Sequence, residues 1–294
     1  MHDSLHLHHR TLLCILCFIL VVFSLSPTPA TAAPAKIIGG KDSGMVNILL
    51  IGQDSSSDVS RSDTIILCTF QPEAKRITMT SFLRDLYVKI PGWQNNRLNA
   101  SYAHGGRELL QETLMENFGI YVDGCIEADF SHFSQIIDAL GGVTIDLRQD
   151  EAAVINKVAA GNLTEGTHLL NGDQALAYSR IRNLDSDGDF SRTERQRTLL
   201  FSLMDRYKDA GLLTILSAVT DTLPMISTDL SKKEILLLAV RLFPLLDSPD
   251  VTDQRVPADG NYSYETVRNM NVIIADSKDI HEQLLESLIG TPEP

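Results

Sequence analysis

A single α-β-α sandwich around a central mixed sheet is what this sequence predicts, and three observations predict it. Residues 45–81 hold three strand-length apolar runs joined by turns. Beyond them, segments of helical spacing alternate with further strand-length runs. No linker-like break divides residues 45–290, in a chain of 294 residues that is 44% hydrophobic and 21% charged.

After a Gly-rich lead-in at 36–44, Met45 to Ile51 is a continuous apolar run that ends at Gly52 and a Ser/Asp loop, as a buried strand does. Thr64 to Phe70 is a second strand, rich in β-branched and apolar residues. Gln71-Pro72-Glu73-Ala74-Lys75 forms a turn, and Arg76 to Ser81 is a third strand. Glu108 to Phe118 has helical spacing and stops at Gly119. Phe130 to Leu140 is a helix closed by Gly141-Gly142, with a strand after it at Val143 to Leu147. Helices are predicted over Asp173–Ser179, Ser191–Lys208, 212–221 and 231–243. A strand at Asn271–Ala275 and a helix over Lys278–Leu288 complete the chain.

Two domain-level segments are expected: residues 1–35 as an apolar export segment, and 36–294 as one extracytoplasmic domain. Arg10 precedes an unbroken apolar run from Leu12 to Phe23, and Ala30-Thr31-Ala32 has the pattern of a cleavage site. A removed signal peptide and an uncleaved anchor both fit this segment, and both export the remainder of the chain. Cys14 and Cys17 lie in the apolar run, which leaves Cys68 and Cys125 for the domain. Their pairing is allowed outside the cytoplasm but is not decided by the sequence.

The net charge of −13 excludes a general attraction to nucleic acid. Any anion must be met by a local exception, and two stretches qualify. If the first three strands form a meander, Asp54, Arg61, Asp63 and Arg84 gather at one end of the sheet. Paired carboxylates there suit a hard cation completed by phosphate oxygens and water, and arginine forks suit phosphate. A solvated Arg61/Asp63 loop pair is the plainer alternative. The second stretch, Tyr178 to Arg197, carries Arg180, Arg182, Arg192, Arg195 and Arg197. Arg180 and Arg182 share a face if the segment is extended. Arg192, Arg195 and Gln196 share a side of the next helix, in first turns that favour anions. A surface patch neutralised by Asp185, Asp187, Asp189 and Glu194 is the alternative. Asn183, Asp185, Asp187, Gly188, Asp189 and Glu194 also have calcium-loop spacing, but position 1 is Asn and no second loop of that kind exists.

In sequence order these stretches are Asn47-Ile48-Leu49-Leu50-Ile51-Gly52-Gln53-Asp54, Arg61-Ser62-Asp63-Thr64 and Ser81-Phe82-Leu83-Arg84-Asp85. Next come Leu98 to Ala103 with Gly105-Gly106, Asp138 to Val143, Glu165-Gly166 with Leu170 to Arg182, and Asp189 to Arg197. Together they resemble the LytR-CpsA-Psr family of cell-wall glycopolymer transferases, well over 46–205 and only in pattern beyond. The resemblance implies an enzyme of the bacterial cell envelope, outside the membrane and either anchored or released. Its donor would be a glycan of teichoic acid or capsule type on polyprenyl pyrophosphate, its acceptor a peptidoglycan hydroxyl, and its lipid product polyprenyl phosphate; pyrophosphatase activity would accompany transfer. It implies Mg²⁺, or Mn²⁺ in its place, on Asp54 and Asp63, and pyrophosphate contacts from Arg61, Arg84, Arg180, Arg182, Arg192 and Gln196. Arg84 and Arg192 would be catalytic, with Asp189 as the base, and the lipid would lie in an apolar channel between sheet and helices. Two positions depart from the family: Leu83 stands where proline is common, and Ser55-Ser56-Ser57 stands where an arginine is common. A non-catalytic polyprenyl-phosphate binder and an envelope-linked regulator are the other readings. No helix-turn-helix signal supports a role in transcription.

Overall fold

A computed structural model describes residues 37–40, 42–54, 61–184, 189–246 and 249–290. The export segment, Ser55-Ser56-Ser57 and the middle of the calcium-loop pattern (Asp185, Asp187, Gly188) lie outside the described residues. The described chain forms two units: one runs from residue 37 to Glu127 and resumes at Asp250, and the other is Ala128–Pro249.

The first unit is built on β1 (Val46–Asp54), β2 (Arg61–Gln71) and β3 (Arg76–Phe82). β1 and β2 pair antiparallel, as do β2 and β3, so the meander expected from the sequence is present. A two-stranded hairpin, β4 (Tyr87–Val88) with β5 (Asn96–Arg97), leads into helix α1 (Leu98–Phe118). The helix begins ten residues before the predicted start because Gly105 and Gly106 leave helical geometry and break the apolar periodicity. Gly106 has φ +65°, which glycine tolerates and residues with a Cβ resist. Strand β6 (Gly124–Asp129) comes next.

The second unit holds α2 (Phe130–Ala139), β7 (Val143–Leu147), α3 (Gln149–Val158), β8 (Gly166–Leu170) and α4 (Gly172–Ser179). It continues with α5 (Asp189–Tyr207), α6 (Leu212–Thr222), β9 (Ser227–Thr228) and α7 (Lys232–Leu242). β7 and β8 pair antiparallel, and β7 alternates buried Val143, Ile145 and Leu147 with exposed Thr144 and Asp146. Ile137, Leu140, Ile155, Leu170, Leu199 and Leu203 pack with them into a common core.

The chain then returns to the first unit through β10 (Asp250–Val256), which pairs parallel to β3. A hairpin of β11 (Ser263–Val267) and β12 (Met270–Ile274) precedes the last helix, α8 (Ser277–Ile289). Within this unit the strand order is β10-β3-β2-β1-β6, with antiparallel and parallel pairs together: the mixed sheet of the sequence expectation. Phe82 stacks on Phe118 at 5.8 Å between ring centres, and Phe70, Ile48 and Leu49 complete its core. Asn47, the first residue of the first motif, is structural: its amide bonds the carbonyls of Ile38 and Tyr121 and accepts from Thr69.

Candidate functional site

At the rim of the first unit, the β1–β2 register pairs Asp54 with Arg61 and Gln53 with Ser62, but Gly52 with Thr64. One residue, Asp63, is therefore left over on β2, and the register shift is a bulge. Bulges re-aim side chains where a strand pairing ends, and here the carboxylate of Asp63 meets Arg84. Arg84 Nη1 donates to Asp63 Oδ1 at 2.5 Å, with both side chains about one-fifth exposed. The side chains of Asp54 and Arg61 lie outside the described atoms; only their backbone positions, facing each other across the strands, are fixed.

Arg84 sits in a tightly bonded turn after β3. Its carbonyl accepts from Asn99 N at 3.0 Å, and Leu83 N donates to Val256 O at 3.1 Å. That second bond explains the departure at Leu83: proline has no N–H to give, and this chain uses one. Asp85 stands between Arg84 and Arg97, with nitrogen–oxygen distances of 3.5 and 3.3 Å.

Behind the rim lies a cluster that the sequence reading missed. Glu127 is buried, yet its carboxylate accepts from Gln53 Nε2 at 2.8 Å and Tyr102 OH at 3.0 Å, and faces Arg107 Nε at 3.0 Å. Burial first, and the Glu127 charge second, push the Tyr102 hydroxyl far above the ordinary tyrosine range. The network ties α1 and β6 to the residue next to Asp54. Gln53 and Tyr102 stand inside two of the motifs, but nothing in the sequence around Glu127 marks it as their partner.

In the second unit, the structure corrects the expectation of an extended Arg180–Arg182 segment. Helix α4 starts from a capping box made by Asn171 and Gln174 and runs to Ser179, so Arg180 is its C-cap in helical conformation. The period of two does not apply. Arg180 is exposed and its guanidinium lies 4.3 Å from the centre of the Phe130 ring, a cation–π contact. Arg182 comes after it in the turn, partly buried. Arg192 is buried in the first turn of α5 and Gln196 lies one turn on, partly buried. Asp189 opens α5, and its side chain lies outside the described atoms.

Arg195 departs from the anion-binding side expected for it. It is buried and its Nε donates to Glu151 Oε1 at 2.8 Å, while Nη1 reaches Ile181 O at 3.4 Å. This pair lines a polar cavity of about 150 Å³ with Arg148, Tyr178, Ser191 and Thr198. Burial, and then the Glu151 charge, push the Tyr178 hydroxyl up to about 12. Glu194 lines it as well, so two arginines face two carboxylates there, and the Arg195–Glu151 bond joins α5 to α3.

The pairing that the sequence left open is absent: Cys68 and Cys125 are both buried free thiols, and burial pushes the Cys68 thiol well above its usual range. Among the described residues no group of three or more His, Cys, Asp or Glu side chains could hold a metal. Asp63 is the one expected ligand whose side chain is described here, and the donors expected with it, a second carboxylate and phosphate oxygens, are of the same kind. That donor set, all hard oxygen, fits Mg²⁺.

The profile of the LytR_cpsA_psr family matches residues 25–286. The polyisoprenyl-teichoic acid–peptidoglycan teichoic acid transferase TagT of Bacillus subtilis (strain 168) is 34% identical over 219 residues. That match covers 71% of this chain and 66% of TagT, just short of two thirds of the relative. A solved structure of TagT bound to LIIa-WTA superposes with a TM-score of 0.69 at 28% identity, covering 87% of this chain and 96% of that one. A second, of YwtF (TagT) with bound octaprenyl pyrophosphate lipid, gives 0.62 at 27% identity over 88% and 97%.

Proposed function

The chain belongs to the LytR-CpsA-Psr family, and from that premise we propose that it transfers a glycopolymer from a polyprenyl pyrophosphate carrier to a peptidoglycan hydroxyl. The observation that carries this reading is the contact between Arg84 and Asp63 at the end of the β1–β2–β3 meander. It sets a fixed cation beside a carboxylate next to the Asp54 position, in an otherwise acidic protein. The likeness to TagT, with its lipid-bound and LIIa-WTA-bound structures, supports the donor class. The reaction would take place at the bacterial cell envelope, outside the membrane. Among the described residues no helix is long and apolar enough to cross a membrane; the apolar run 12–23 precedes them.

The chain's own groups divide the chemistry among themselves. The acceptor hydroxyl attacks the phosphorus that carries the glycan, the P–O–P bridge breaks, and polyprenyl phosphate leaves with the bridging oxygen. The family resemblance assigns phosphate contacts to Arg61 and Arg84 of the first unit and to Arg180, Arg182 and Arg192 of the second, and arginine charge of this kind stabilises a pyrophosphate as negative charge builds on the leaving oxygen. The Gln196 amide donates a further hydrogen bond. Asp189, where the family has an acidic residue on the acceptor side, takes the hydroxyl proton. Asp54 and Asp63 would hold Mg²⁺, which when bound neutralises phosphate charge.

The test is release of polyprenyl phosphate from a defined polyprenyl-pyrophosphate-linked glycan, with and without Mg²⁺. Asp63→Ala is expected to abolish release, and full activity in that variant would remove Asp63 from the metal site. Asp189→Asn is expected to lose rate while retaining donor binding. A protein that binds donor but never releases polyprenyl phosphate, even with Mg²⁺, would instead be a lipid-binding relative without turnover.

A further inference from the structure

Helix α7 is apolar on both sides. Its inner face buries Ile235, Leu238, Ala239 and Leu242, which accounts for its packing. Its outer face leaves Leu236 at 36%, Leu237 at 50% and Val240 at 48% exposure. On the neighbouring α6, Leu213 is 82% exposed. An amphipathic surface helix places polar residues there, and large exposed apolar patches mark interaction surfaces.

The charges on this helix are as informative as the leucines. Lys232 and Lys233 begin it, Arg241 closes it, and all three are exposed, so cations bracket the apolar stripe. Two lysines in the first turn oppose the helix dipole, so helix stability does not explain them. The single carboxylate of α7, Glu234, is turned back onto the backbone N of Ser231 at 2.6 Å in a capping box. The nearest exposed acid in sequence, Asp229, precedes the cap. This concentration of positive charge stands in a chain of net charge −13.

We propose that the outward face of α7 docks on an anionic lipid surface, with Leu236, Leu237 and Val240 entering the headgroup region and Lys232, Lys233 and Arg241 meeting lipid phosphates. A short helix with aliphatic side chains between basic ones is the composition that lies in such an interface. Cations at both ends would meet their own images across a two-fold axis, which disfavours a second copy. The contact orients this unit on the bilayer. It rests on the proposed function only for its purpose, bringing the unit to a lipid-borne donor.

The experiment uses the full chain reconstituted in vesicles, with Cys14→Ser and Cys17→Ser, and an environment-sensitive fluorophore on Leu237→Cys. A second sample carries the label on Val158→Cys, a residue of α3 that is 73% exposed. Vesicles of phosphatidylglycerol or phosphatidylcholine contain a lipid-borne quencher, and no donor is present. Quenching at position 237 should exceed that at 158 in phosphatidylglycerol and fall in phosphatidylcholine. Lys232→Gln with Lys233→Gln should shift the docking equilibrium by about thirty-fold, from roughly 1 kcal/mol per basic residue. Equal quenching at both positions, or equal quenching in both lipids, overturns the proposal, as does a label at 237 already shielded without vesicles. Release of polyprenyl phosphate from a detergent-dispersed short-chain donor should be unchanged by the lysine substitutions. Failure of that assay in the unsubstituted chain would count against the transferase reading while leaving the quenching result intact.

Discussion

Asp63 is where the geometry and the proposed chemistry meet most closely. The bulge between Gly52 and Gln53 frees it from the strand register, and Arg84 holds it at 2.5 Å. Its neighbour in the turn makes a separate point. Leu83→Pro restores the residue common in the family, but removes the N–H bonded to Val256 O and a side chain that is fully buried. A loss of about 2 kcal/mol in urea unfolding is expected, from one hydrogen bond and part of a leucine's burial. Unchanged stability would mean that the Val256 bond contributes nothing. Residues of this kind were partly legible. Asp63 and Arg84 emerged from strand pairing, because a meander brings alternate turns to one end. Glu127 was not legible, because its role comes from partners 25 and 74 positions away.

Among the elements, α5 and α3 are joined by the buried pair of Arg195 and Glu151. Glu151→Ala strands a buried guanidinium, and a cost of about 3 kcal/mol or more is expected in denaturant unfolding. Replacing both by leucine and methionine should recover most of it; failure to recover would show that the pair has a further role. At the start of α2, Asp129 caps the helix by accepting from His132 N at 2.8 Å. Partial burial acts to raise its pKa, but hydrogen bonds from His132 and Ser131 prevail and hold it below the ordinary value. A lowered carboxylate pKa gives stability that is complete above the unfolded value of about 3.9 and is lost as pH falls through the folded one. Asp129→Ala should therefore cost about 1 kcal/mol at neutral pH, and the difference from wild type should shrink in acid below about pH 4. A difference constant from neutral pH down to about pH 2 would refute the capping account. The elements that sequence patterns reached were those with strong apolar periodicity, such as β7 and α5. Strand β10 escaped because it is largely exposed and carries Asp250, Asp253 and Arg255, as outer strands do. The extended reading of Arg180–Arg182 failed because the capping box of α4 carries helix up to that point.

For the whole molecule, the architecture was legible from alternation and the family resemblance from seven ordered motifs, whereas the division into two units was not. Strand pairing between residues 174 positions apart leaves no local trace. Cys68 and Cys125 are free, so no disulfide between them braces the folded chain. Thermal unfolding is expected at the same temperature with and without reductant, and both thiols should resist a thiol reagent until the chain is unfolded. A drop in midpoint on reduction would reveal a bridge.

The parallel pairing of β10 with β3 has a consequence for how the protein is made. The Ala128–Pro249 unit is one continuous stretch, so all of it has been synthesised before Asp250 emerges. The first unit is an interrupted sentence: its opening clause, through Glu127, waits for its ending. Until the segment from Asp250 onward arrives, β3 presents a bare edge, a template for pairing with another chain. A nascent or prematurely terminated product is thus at greatest risk of aggregation while its second unit is already complete. A helper protein that shields that edge during synthesis would have most to protect until Asp250 and the residues after it have emerged.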